Sequence, residues 1–315
     1  MLPLALASLF SPSVTTLLNG VRIEHASWNS GSSDAVLLLM GHSATMTWWR
    51  HGAERLQRAG LRVIALDNRD SGLSQRFDSA LPDPVTATLP AITCEHSQPG
   101  PTPDGGGVCA YTLDDLADDA VGVLDHYGVE RAHVLGASMG GVVAQIIASR
   151  HAARCRSLSL VMTAERIGEA TAATAAASDG AFIGALGAAT LPPPHPGMTK
   201  DEYLSSRARR PRRAASRLLP RGRAAVTGRW QTLAIIEWER RRTAEHASAL
   251  RGLKMPALVL HGKHDPLVGV DAGRGLAAAT GARFVEYAGG HNFGHSAAER
   301  SKVWDEIVEH IKASP

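Results

Sequence analysis

Residues His133 to Ala144 read His-Val-Leu-Gly-Ala-Ser-Met-Gly-Gly-Val-Val-Ala, a short apolar strand that passes through Gly-x-Ser-x-Gly directly into a helix. This segment leaves the chain few folds to choose from. The serine must stand at the tip of a tight strand-to-helix turn, in a strained conformation with positive φ. A side chain at Gly136 or Gly140 would collide with the neighbouring strand or helix. The turn lifts the Ser138 hydroxyl clear of the sheet and aims the first amides of the next helix at a reacting carbon. Three fixed residues in five recur by chance, so the flanks carry the argument. Arg131–Leu135 reads as a buried strand, and Val142, Val143, Ile146 and Ile147 recur at helical spacing. Ser138 is the candidate nucleophile; the alternative is a glycine-rich turn with an incidental serine.

The rest of the chain alternates in the same way. Asn19-Gly20 between residues 14–18 and 21–27 signals a hairpin. Ala35–Met40 is wholly apolar, as in a strand covered on both faces. Trp48–Ala59 has helical spacing and stops at Gly60. Arg62–Leu66 is a further apolar strand, followed by the polar turn Asp67–Gly72, where Arg69 is expected to pair structurally with carboxylates or carbonyls. Residues 78–110 hold six prolines and three consecutive glycines and read as a long loop. Thr112-Leu113-Asp114-Asp115 is a capping box for a helix that Gly128 ends. Strands are expected at Ser157–Met162, Pro256–Gly262 and Arg283–Tyr287. Helices are expected near 271–280 and at the end of the chain, where Val303, Trp304, Ile307, Val308 and Ile311 share a face. This alternation implies a mostly parallel sheet wrapped by helices, with its active site at the C-terminal strand ends.

From about residue 165 the pattern breaks into Ala/Gly-rich and then Arg-rich sequence. Three parts follow: a first core part (1–164), a helical insertion (165–250) and a second core part (251–315). The 315 residues suffice for one large α/β domain with such an insertion. Net charge is +3, so the whole chain does not read as a nucleic-acid binder. The segment from Lys200 to Arg242, however, carries thirteen Lys/Arg against four Asp/Glu. It is either a solvated helical face or a basic lid that steers anionic substrates. No apolar run approaches a membrane span. Met1–Phe10 is apolar but lacks a basic leader region, so a cytoplasmic protein is expected, with export left open. Cys94 and Cys109 could bridge if the protein is exported, and Cys155 reads as a buried thiol. The spacing of the three cysteines gives no metal motif, and no metal or cofactor is expected.

A serine hydroxyl needs a base, and the base an orienting acid. Serines on such turns take these partners later in the chain, acid before histidine. The acid candidate is Asp265, just past an apolar strand in His261-Gly262-Lys263-His264-Asp265-Pro266. Its other reading is a simple turn initiator. The base candidate is His291, after the last strand and a glycine turn, with His295 as its rival. Oxyanion donors are expected at the backbone amides of Met139 and of His42, in the loop Met40-Gly41-His42-Ser43, leaving the His42 side chain to line the pocket. Trp48, Trp49, Trp230 and Trp238 are expected first in the core or in helix packing, and Trp230 and Trp238 are the better pocket candidates of the four.

These residues resemble the α/β-hydrolase superfamily and, within it, the aclacinomycin methylesterase group. The similar stretches are Val36–Gly41, Asp67–Ser74, Tyr111–Gly141 and Leu258–Asp265. The resemblance implies an eight-stranded, mostly parallel sheet flanked by helices, with a helical lid. It implies a triad of Ser138, Asp265 and His291, donors at His42 and Met139, and hydrolysis of a methyl ester on an anthracycline-type polyketide. The expected activity is a cofactor-free serine esterase acting on a small-molecule ester. A lactonase, a C–C bond hydrolase, a perhydrolase and a silent binding protein are the rivals. Dehalogenase and epoxide hydrolase chemistry use a carboxylate nucleophile, which position 138 does not supply.

Overall fold

The computed structural model describes residues 13–77, 110–177 and 229–315. The 78–109 stretch, Cys94, Cys109, most of the Arg-rich segment and the Trp230 side chain lie outside the described residues. Eight strands form one sheet: β1 (Val14–Leu18), β2 (Val21–Trp28), β3 (Ala35–Leu39), β4 (Arg62–Leu66), β5 (Ala132–Ala137), β6 (Cys155–Val161), β7 (Ala257–Gly262) and β8 (Arg283–Tyr287). Their order is β1-β2-β4-β3-β5-β6-β7-β8. The β1–β2 hairpin joins antiparallel to β4, and every other pairing is parallel.

Seven helices are described: α1 (Arg50–Arg58), α2 (Leu113–His126), α3 (Met139–Arg150), α4 (Ile167–Ala177), α5 (Arg229–Arg251), α6 (Val270–Thr280) and α7 (Ala297–Ala313). The period of two along the strands sorts the core. Leu37, Leu39, Ile64 and Val134 face a cluster with α2, α3 and α6; Val36, Leu38, Val63 and Leu135 face one with α1 and α7. All five residues of β3 are buried, as a strand covered on both faces requires.

Capping chemistry sets the helix starts. Thr112 Oγ1 accepts the amide of Asp115, whose carboxylate accepts the amide of Thr112. Ser296 and Glu299 repeat the arrangement at α7. The turn after β4 is tied down as expected for Arg69: its Nε and Nη2 donate to Asp119 of α2 at 2.6 and 2.9 Å in a buried pair. The Tyr111 hydroxyl donates to Asp70 at 2.6 Å. Cys155 is a buried free thiol, and burial pushes it up to about 12.

Trp49 and Trp238 are buried as expected, whereas Trp48 is not. A 3-10 turn, Met46–Trp49, precedes α1. With three residues per turn, Met46 and Trp49 point inward together, and Trp48 faces out, 58% exposed. Trp238 is buried between α5 and its neighbours, ring against His246 at 4.5 Å, away from the cavity beside Ser138.

Candidate active site

Ser138 begins α3 with φ 54° and ψ −126°. Its amide donates to Val161 of β6 at 3.0 Å, and its carbonyl accepts from Gly141 N and Thr163 Oγ1, both at 2.8 Å. The strained residue is held from both sides. A Cβ at Gly136 would sit 2.2 Å from the Gly140 carbonyl oxygen, and one at Gly140 would sit 2.2 Å from that of Leu39. Only glycines let helix and strands close to this distance.

Two loops bring the partners over the sheet edge. Lys263 N and His264 N donate to the carbonyls of Tyr287 and Gly289 at 2.9 Å each, zipping the loop after β7 to the loop after β8. Trp304 of α7 then stacks on Phe293 at 5.1 Å and 12°, and Trp49 meets Phe293 edge-on at 5.5 Å. The Tyr287 hydroxyl donates to the carbonyl of Asn292. These contacts fix the loop that carries His291.

The result is a continuous hydrogen-bonded chain. His291 Nδ1 lies 2.8 Å from Asp265 Oδ2, and His291 Nε2 lies 3.0 Å from Ser138 Oγ. The carboxylate only accepts, so Nδ1 carries the proton and Nε2 offers its lone pair to the hydroxyl. Asp265 Oδ1 accepts the amides of Leu267 and Val268 at 2.8 and 3.0 Å. Burial alone would lift this carboxyl. Hydrogen bonds from His261 and His291, the electrostatic pull of the His291 ring and the Val268 amide outweigh burial and hold it well below the usual carboxylate range. The rival His295 lines the same cavity but has no hydrogen bond to Ser138.

One participant went unread in the sequence. His261, fully buried at the end of β7, donates from Nε2 to the Val268 carbonyl at 2.8 Å and lies 3.3 Å from Asp265 Oδ2. Its Nδ1 has no hydrogen-bond partner and faces Gly273 of α6. It braces the acid from behind. A polar residue closing an otherwise apolar strand was the available signal.

The loop after β3 passes directly over the serine: a Cβ at Gly41 would lie 2.9 Å from Ser138 Cβ. The amide of Ser43 donates to Gln231 Oε1 at 2.6 Å, and Gln231 Nε2 donates to the Arg69 carbonyl and Ser71 Oγ at 2.7 and 3.0 Å. The His42 ring meets Thr232 Oγ1 at 2.9 Å and still lines the cavity. Gln231 and Thr232 were not foreseen, because no periodicity marks the start of α5. Met139 opens α3, where a helix leaves its first amides without intrahelical acceptors.

Beside Ser138 lies a cavity of about 410 Å³. Among the described residues no cluster of side chains could hold a metal ion, and no helix is long and apolar enough to cross a membrane.

A nucleophile elbow on a mostly parallel eight-stranded sheet, with aspartate and histidine delivered from its later strands, defines an α/β enzyme of the hydrolase type. The chain belongs to the α/β-hydrolase fold family, whose model matches residues 34–297. It is 33% identical over 140 residues to a rhodomycin D methylesterase of Streptomyces sp. (strain C5), a match covering 43% of this chain and 38% of that protein. It is 30% identical over 138 residues to epoxide hydrolase B of Mycobacterium tuberculosis H37Rv, covering 43% and 31%. The chain therefore spans about a third of the length of these curated relatives. Among solved structures, the enol-lactonase from Burkholderia xenovorans LB400 superposes with a TM-score of 0.61 at 23% identity, covering 95% of this chain and all of that one. A thermophilic esterase from Thermogutta terrifontis superposes with a TM-score of 0.60 at 20% identity, covering 96% and 98%. These two likenesses speak for the fold alone.

Proposed function

We propose that this protein is a cofactor-free serine esterase that cleaves a small-molecule carboxylic ester through an acyl-enzyme. The observation that carries the reading is the unbroken chain from Asp265 through His291 to Ser138, ending at a hydroxyl that opens on a cavity. Ser138 Oγ attacks the ester carbonyl while His291 Nε2 takes its proton. The resulting imidazolium is stabilised by Asp265. The tetrahedral oxyanion accepts from the amides of Met139 and His42. When the intermediate collapses, His291 returns the proton to the departing alkoxide, which leaves as the alcohol. Water, deprotonated by His291, then attacks the acyl-serine and releases the acid and the free hydroxyl. In this reading residues 165–250 form a lid insertion between the core parts 1–164 and 251–315. The methylesterase relatives support an ester of methanol as the substrate, whereas the serine at position 138 disfavours the carboxylate chemistry of epoxide hydrolases.

A fluorophosphonate probe tests the assignment. The protein is expected to label stoichiometrically, and Ser138→Ala to abolish labelling while keeping its circular dichroism spectrum and melting temperature. Unchanged labelling in that variant would place the nucleophile elsewhere.

A further inference from the structure

The cavity beside Ser138 has an uneven lining. Met162, Leu267, Phe293 and Trp304 give it an apolar wall, while its basic side chains are the guanidinium of Arg300 and the imidazoles of His42, His51, His291 and His295. Among the described residues no aspartate or glutamate lines it. The carboxylates closest in sequence are engaged elsewhere: Glu299 accepts the amides of His295 and Ser296, Asp305 pairs with Arg55, and Glu54 pairs with Arg58.

Arg300 is left without a counter-ion. Its Nη1 donates to the carbonyls of Gly294 and His295 at 3.2 and 3.4 Å, and no described carboxylate pairs with the guanidinium. The His51 ring, on the first turn of α1 across from α7, has no described hydrogen-bond partner either. Arg300 is half-buried and His51 and His295 are exposed, so a ligand anion there gains charge-assisted hydrogen bonds in competition with water. At the other end the Asp265 carboxylate stands behind His291 and repels a second anion. An anionic group on a ligand is therefore better placed at Arg300 than beside the serine.

Resting on the esterase reading above, we propose that the ester taken by this site carries a carboxylate on its apolar body, and that Arg300, with His51 and His295, holds that carboxylate. Arg300 and its imidazole neighbours thus choose the substrate, and Ser138 and its partners cleave it.

The test separates binding from cleavage. In the Ser138→Ala protein, fluorescence of the cavity tryptophans reads the affinity of 5-phenylpentanoate against its neutral amide. The acid is expected to bind about tenfold more tightly, as a charge-assisted contact allows. Arg300→Gln should remove that preference and His51→Gln should reduce it. Arg274→Gln, a change to a surface arginine outside the cavity, should retain it. Equal affinity for acid and amide, no binding of either, or a preference that survives both Arg300→Gln and His51→Gln would overturn the proposal. Fluorophosphonate labelling of the parent is read separately, so failure there strikes the esterase reading while the acid–amide comparison still judges the Arg300 cluster.

Discussion

Ser138 and Ser157 are each hydrogen-bonded to a histidine that reaches an aspartate, and the two chains differ in everything else. Ser157 Oγ lies 2.8 Å from His133 Nδ1, and His133 Nε2 lies 3.0 Å from Asp34 Oδ1. Yet Ser157 and His133 are fully buried at the opposite end of the sheet, where the register between β5 and β6 shifts. Burial pulls the His133 imidazole down, and no substrate can reach it. Residue types alone therefore do not make a site; the positive-φ turn and the cavity separate the two. That turn was legible because Gly136, Ser138 and Gly140 sit at fixed spacing between a strand and a helix. His261 was not, because one buried imidazole among fourteen histidines has no spacing signature. At Asp265 the expected outcome is severe. Asparagine there would present an amide to His291 Nδ1, reverse the tautomer, and turn an N–H toward Ser138. Turnover of an activated ester by Asp265→Asn should fall about 10⁴-fold. Near-normal turnover would move the acid to a carboxylate past β6, such as Glu165.

Helices α1 and α7 meet where a Cβ at Gly52 would lie 2.0 Å from Trp304 Cη2. The indole lies flat in that notch and supports Phe293, and Phe293 supports the histidine loop. Gly52→Ala should destabilise the fold by about 1–3 kcal/mol through overpacking, visible in urea denaturation. It should also lower turnover, because His291 moves with Phe293. The α3–α5 contact carries a pH signature. His246 Nε2 donates to Gln145 Oε1 at 3.2 Å, and burial lowers this imidazole to about 4. Between pH 6.5 and about 4 the unfolded chain binds the proton and the folded chain does not, so stability falls as pH falls through that window and levels off below it. The full shift is worth about 3 kcal/mol. His246→Gln should flatten the urea midpoint between pH 7 and pH 4, leaving the parts owed to His310, which burial also lowers to about 4, and to His133, which burial lowers as well. An unchanged slope would remove His246 from the account. Element boundaries were readable wherever period and punctuation agreed: Arg62–Leu66 and Arg283–Tyr287 stand as expected. Trp48 was misplaced because helical spacing does not show where a 3-10 turn gives way to an α-helix.

Across the whole molecule, the parallel sheet brings residues from β5, β7 and β8 to one edge, and the polar turn after β4 locks the neighbouring loop in place. Asp67 accepts the amide of Met46 at 2.8 Å, and Asn68 Nδ2 donates to the Met40 carbonyl at 3.0 Å. The Arg69–Asp119 pair anchors that turn to α2. Burial works against both charges; at Arg69 the hydrogen bond and charge of Asp119 outweigh it, whereas at Asp119 burial still raises the carboxyl despite the Arg69 hydrogen bond. Asp119→Ala strands a buried guanidinium and should cost about 3–5 kcal/mol in urea denaturation. A loss under about 1 kcal/mol would show that water or a neighbour replaces the carboxylate. The mostly parallel sheet followed from the alternation of strands and helices, whereas the strand order and the partners of α5 did not, since they depend on how the elements lie against one another in space. That placement has a consequence for chimeras. Gln231, at the start of α5, aims the Ser43 amide and braces the Arg69 turn at once. Transplanting another family member's segment between β6 and β7 would exchange this glutamine along with the rest of the segment. A graft meant only to broaden what the enzyme accepts would also detune the donor loop, unless residue 231 is carried back as glutamine.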